Sequence, residues 1–161
     1  MISLPLWSKK IGATIAFVLI CSTCLANEAL FQQARALQRE GSYDEAIAAF
    51  KSYLSQPIRE KEFTEERMAT YTEALVQLMN TFQSKGEPEA CVETLQALFK
   101  TSPILQRQCL RDYYSVLGYA LSRTERMKRA EEATLKAFTI PLHHATPERF
   151  FRDYAYAAAV F

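Results

Sequence analysis

The stretch Gly41–Pro57, GSYDEAIAAFKSYLSQP, decides the fold. A glycine, an aromatic, two acids and a rhythm of small and apolar residues follow closely, and the choice lies between a chemical site and a way of packing helices. Glycine readily takes the left-handed conformation that ends a helix, so Gly41 reads as the turn between two helices. Bulky Leu30 and Leu37 lie eleven and four residues before it, small Ala46 five after, Phe50 nine after, and Pro57 closes the unit. The same ruler set on Gly86 finds Leu75, Phe82, Cys91, Leu95 and Pro103; set on Glu125 it finds Tyr114, Leu121, Ala130, Thr134 and Pro141. Nearly the same chemistry at each mark is the sign of an internal repeat. Strand signals are nearly absent, since no long alternating Val/Ile/Thr run occurs beyond the N-terminal segment, and helical spacing dominates.

The residue types have a physical reason. Helices cross closely only where a small side chain lets the backbones approach, which assigns Ala46, Cys91 and Ala130 to crossing points, with bulky residues on adjacent turns filling the grooves. A hairpin built this way cannot cover its own apolar face and needs neighbours on both sides.

The pattern resembles the tetratricopeptide repeat, a helix-turn-helix unit of about 34 residues. The resemblance is carried by GSYDEAIAAFKSYLSQP, by KGEPEACVETLQALFKTSP and by YYSVLGYAL followed by RAEEATLKAFTIP, with Leu117-Gly118 matching the family's Leu-Gly pair. It covers nearly the whole chain from Asn27 onward. Departures are visible: unit spacings are about 45 and 39 residues, Gln33-Ala34 and Leu78-Met79 replace Leu-Gly, Glu125 replaces the turn glycine, and Thr134 replaces a bulky residue. The resemblance implies an all-α, right-handed solenoid of three tandem hairpins (about 27–58, 64–103 and 108–142) plus a final helix over 147–161.

Local signals refine two helix starts. Thr64 can cap a helix, Glu65 and Glu66 favour its positive end, and Phe63 and Met68 are spaced as a hydrophobic staple. The second unit's first helix therefore starts early and runs from Glu65 to about Gln83. In ATPERFF, Thr146 caps and Pro147 takes the first turn, where its missing donor does no harm.

The remaining bounds are soon stated. At 161 residues, 49% of them apolar and with 4 Gly and 6 Pro, the chain suits one globular domain. A formal charge of +1 gives no pull toward nucleic acid or an anionic membrane. Residues 1–26 read as a secretory signal: Lys9 and Lys10 precede an uncharged run, Ile11–Ala26, that is shorter than the roughly 20 residues of a spanning helix. Cys24 and Ala26 suit a cut after Ala26. The alternatives are an uncleaved membrane anchor, or lipidation of Cys24, to which Thr23 is a poor fit. Cleavage would leave 17 basic residues against 18 acidic ones, a formal −1. An oxidising compartment permits a disulfide between Cys91 and Cys109, but their positions read as buried thiols.

No catalytic constellation is present: no glycine-rich phosphate loop, no Gly-x-Ser-x-Gly elbow and no His-Glu-x-x-His. His143-His144 has no cysteine or carboxylate at metal-ligand spacing and reads as solvent-facing, so neither a cofactor nor a metal is expected. Glu65-Glu66 and Glu131-Glu132 read as helix-start and solvated-face charges. By the resemblance, the first helices line a concave groove for an extended peptide or partner helix. That face would comprise Glu28, Phe31, Arg35 and Gln38, then Glu73, Val76, Asn80 and Gln83, then Asp112, Ser115, Tyr119 and Ser122. The family's chaperone-binding members clamp a terminal carboxylate with lysines, asparagines and an arginine; only Asn80 matches here, and Phe31, Asp112 and Val116 stand at the other positions.

The expected function is therefore a non-catalytic, exported module, periplasmic or otherwise extracytoplasmic, that binds a protein or peptide. The alternative is the extracytoplasmic sensory N-terminal region of a larger membrane receptor such as a bacterial sensor histidine kinase. A weaker third reading is a small exported enzyme or metal carrier using His143 and His144. ERFFRDYAYAAAVF has no stop signal and no charge from Tyr154 onward. A helix apolar all round has to be buried on several sides. The expectation is a first helix of a fourth hairpin, with Tyr154, Ala158 and Phe161 covered by further chain or by a partner.

Overall fold

A computed structural model describes residues 27–58, 63–141 and 147–161, with side chains of the last stretch from 151 onward. The signal reading of residues 1–26, His143 and His144, and the cap at Thr146 lie outside the described residues. Within them the chain is all α-helical, with no strand. Helix α1 spans residues 27–39, and α2 (Tyr43–Leu54), α3 (Glu65–Lys85), α4 (Pro88–Thr101), α5 (Pro103–Arg107), α6 (Leu110–Ser122), α7 (Met127–Thr139) and α8 (Pro147–Val160) follow. Each pairs with its successor as a hairpin or stacks on the next unit, in the manner of a tetratricopeptide-like solenoid.

Turn chemistry sets the hairpins. Gly41 and Gly86 both have left-handed backbones, at φ 80° and 79°. In each, the glycine N–H returns to the carbonyl three residues back (Gln38, Gln83) and the next N–H to that five back (Leu37, Phe82). Carbonyls otherwise orphaned at a helix end are thereby paired. The third turn has no glycine and works differently. Arg123 stays right-handed at φ −87°, and Thr124 Oγ1 donates to the Leu121 carbonyl at 2.8 Å. A side chain closes that turn, so Glu125 is tolerated where the first two units carry glycine.

Helix α3 starts where its capping signal lies. Thr64 Oγ1 accepts from the Arg67 N–H at 3.3 Å, and the helix runs to Lys85, two residues beyond the expected end. Phe63 meets Tyr71 edge-on at 5.9 Å between ring centroids. The unforeseen element is α5: Ser102 caps it by accepting from the Leu105 N–H at 3.4 Å, and its Ile104 and Leu105 enter the core. The extra residues between the second and third units are thus folded into a short helix.

All three small residues assigned to crossing points, Ala46, Cys91 and Ala130, are buried. Packing is close between α6 and α7 at Gly118. A β-carbon there would collide with Thr134 Oγ1 and lie 3.2 Å from the Thr134 nitrogen and 3.3 Å from the Ala130 carbonyl oxygen. This explains the departure at Thr134, since no bulkier side chain fits against α6. Between the first two units the core is aromatic: Phe31 packs on Phe50 and Tyr53, at 6.2 and 5.5 Å, and Tyr53 on Tyr71 at 6.2 Å. The buried Tyr71 hydroxyl donates to the Leu54 carbonyl at 2.5 Å and lies 3.0 Å from Ser102 Oγ. One phenol thereby ties the end of α2 to α3 and to the α4–α5 junction.

Candidate functional site

The face made by the first helices of successive hairpins, α1, α3 and α6, is the candidate. Its first half is open and polar. Arg35 Nη1 meets Glu73 Oε1 at 3.4 Å, with both side chains partly exposed, and the Arg35 guanidinium lies 5.8 Å from the centre of the Phe31 ring. Gln38 Nε2 donates to the Gln77 carbonyl at 3.3 Å. Val76, Asn80 and Gln83 are half-buried, and Glu28 is exposed. The Gln83 Nε2 is buried and has no hydrogen-bond partner. Leaving a buried donor unsatisfied costs about 1–3 kcal/mol.

Three expected groove residues belong to the interior. Phe31 points into its own hairpin, onto Phe50 and Tyr53. Asp112 and Ser115 are buried because α8 lies over that side of α6. Asp112 Oδ1 takes a 2.6 Å bond from Arg152 Nη2, and Tyr119 stacks on Tyr156 at 4.5 Å. Ser115 stands between them on the same helical face, by the three-to-four residue spacing that aligns side chains along a helix. Tyr119 and Ser122 remain half-buried at the edge, the Ser122 hydroxyl donating to the Tyr119 carbonyl at 2.8 Å. The accessible surface therefore lies mainly on α1 and α3, where it consists of amides, Val76 and one ion pair, with Tyr119 and Ser122 of α6 at its edge.

The α6–α8 contact contains a cluster that the reading of the sequence missed. Arg111 Nε meets Asp153 Oδ2 at 2.9 Å while Arg152 meets Asp112, so two Arg-Asp pairs are crossed. Arg152 also lies 3.4 Å from Asp153 Oδ1, and Arg111 Nη1 donates to the Ile140 carbonyl at 2.9 Å. Both carboxylates are almost fully buried. A signal existed: LRDY at 110–113 recurs as FRDY at 151–154. The recurrence sets Arg152-Asp153 on α8 as the counterpart of Arg111-Asp112 on α6.

A cavity of about 190 Å³ between the start of α1, the end of α2 and the start of α3, lined by Glu28, Tyr53, Glu66 and Arg67, falls below the roughly 300–1,000 Å³ of a ligand pocket. Burial pushes the Cys91 thiol and the Tyr53, Tyr71 and Tyr113 phenols up to about 12. Lys85 is also raised, by its hydrogen bonds to Asp44 and Glu87. These shifts all lead away from neutral pH, the opposite of what a general acid or base needs. Among the described residues no group of three His, Cys, Asp or Glu could hold a metal ion, and no helix is long and apolar enough to cross a membrane.

Comparison with known protein families matches residues 28–57, which hold α1, the Gly41 turn and α2, to the tetratricopeptide repeat. No curated protein and no solved structure matches the chain. Tetratricopeptide repeats generally mediate protein–protein interaction and are generally non-catalytic.

Proposed function

We propose that this chain is a non-catalytic interaction module acting outside the cytosol, and that the α1–α3 face holds an extended segment of a protein partner. The observation that carries this reading is the row of partly exposed amides, Gln38, Asn80 and Gln83, beside the Arg35–Glu73 pair. Side-chain amides offer a donor and an acceptor each, which suits peptide backbone more than any one side-chain charge. Export rests on the character of residues 1–26.

The test is site-specific photo-crosslinking in the native host, with the crosslinker at Asn80 or, as control, at Glu93 on the exposed side of α4. One partner protein should be captured from Asn80, and Arg35→Ala with Gln38→Ala should lower its recovery roughly tenfold. Equal capture from Glu93, or no effect of the double substitution, would sink the assignment of this face. Recovery of a chain beginning at Asn27 tests export separately. The second reading, the sensory region of a larger receptor, rests on architecture; a membrane span followed by kinase motifs in the gene beyond Phe161 would select it.

A further inference from the structure

The exposed large apolar side chains of the described residues all lie at one end of the solenoid: Met127, Leu135 and Phe138 on α7, Phe151 and Tyr154 on α8, and Phe161 just after it. Helix α8 has two opposite faces. Arg152, Asp153, Tyr156 and Val160 turn inward, through the crossed ion pairs, the Tyr119 stack and burial. Phe151, Tyr154, Ala155, Ala158 and Phe161 form the outward stripe, and all five are exposed, Phe151 and Phe161 at 71% and 72%. From Tyr154 to Phe161 the helix carries no charge, and Arg152 and Asp153 just before are held on the other side.

The geometry points to a second copy of this chain as the occupant, docked tail to tail by antiparallel pairing of the two α8 helices. The stripe is complementary to itself. When two copies cross about Tyr156, Tyr154 falls opposite Ala158 of the other chain and Phe151 opposite Phe161, so bulk meets a small residue or a second ring. A two-fold contact repeats each pairing, and an uncharged stripe brings no like charges together across the axis. Head-to-tail association is disfavoured, since it would set this face against the α1–α2 end, which exposes no large hydrophobic among the described residues. The three rings of the stripe, between 53% and 72% exposed, supply on the order of 300–500 Å² at about 150–250 Å² per fully exposed ring. That is the apolar centre of an interface of about 800 Å² per partner, with Leu135 and Phe138 continuing it onto α7. The pairing is separate from the α1–α3 face.

Sedimentation equilibrium of the full chain tests the inference. The wild type should be a dimer at micromolar concentration. Ala158→Lys, at an exposed position, should keep the wild-type circular dichroism melt and weaken dimerisation roughly a hundredfold. Ala36→Lys, on the exposed side of α1, should leave the dimer intact. Chains carrying Tyr154→Cys, mixed with chains carrying Ala158→Cys, should form a disulfide faster than either alone, as the antiparallel register requires. A wild-type monomer, or a dimer insensitive to Ala158→Lys, would overturn the proposal.

Discussion

Replacing Gly118 by alanine adds one methyl group to a close α6–α7 contact, and two effects oppose each other there. In the helix interior, alanine is favoured over glycine by about 1 kcal/mol. Against this, the new β-carbon would collide with Thr134 Oγ1 and press on two backbone atoms at 3.2 and 3.3 Å. Thr134 is buried and branched, with only two favoured χ1 rotamers in a helix, so it has little room to swing away. The backbone of α7 can yield only by shifting a helix. Overpacking of this kind costs typically 1–3 kcal/mol. We place the result toward the upper half of that range because both a side chain and backbone are in the way, which leaves a net loss of about 1–2 kcal/mol. Thermal unfolding followed by circular dichroism should show a Tm lower by roughly 3–8 °C. Thr134→Ala removes the nearest obstacle, so in the Gly118→Ala background it should recover part of the loss, giving a coupling energy of about 1 kcal/mol. A Gly118→Ala chain as stable as wild type would refute the placement of the α6–α7 crossing.

Two further predictions test register and burial. Ala46→Leu and Ala130→Leu, at the other close contacts, should each destabilise by about 1–3 kcal/mol in urea titrations, and neutrality of both would mean the repeat register is wrong. Stability should also fall in alkali. The Tyr53, Tyr71 and Tyr113 phenols and the Cys91 thiol are raised by burial to about 12 from ordinary values of 10.0 and 9.0. The unfolded chain therefore releases these protons first, so their contribution is complete below about pH 9 and is lost between there and about 12, at about 1.4 kcal/mol per pH unit for each titrating group. Tyr71→Phe should make that alkaline slope one proton shallower. An unchanged slope would show that Tyr71 is not the buried phenol described.

The reach of the sequence followed the range of the interactions involved. Gly41 and Gly86, Thr64 with Glu65 and Glu66, and the spacing of Ala46, Cys91 and Ala130 act within a turn or a hairpin, and from them the helical repeat and most helix bounds could be read directly. Thr134 and Glu125 looked like departures, and only contacts across the hairpin explained them, through Gly118 in one case and the Thr124 hydroxyl in the other. Helix α5 was missed because the same residues, without Ser102 and the core around Ile104, read equally well as a connection. The groove was read least well. Helical spacing gave the face of α6 on which Asp112, Ser115 and Tyr119 stand, but whether that face meets water depends on α8, forty residues away in the chain. Periodicity determines which side chains share a face; the packing of a distant helix against that face determines whether any of them is available to a partner.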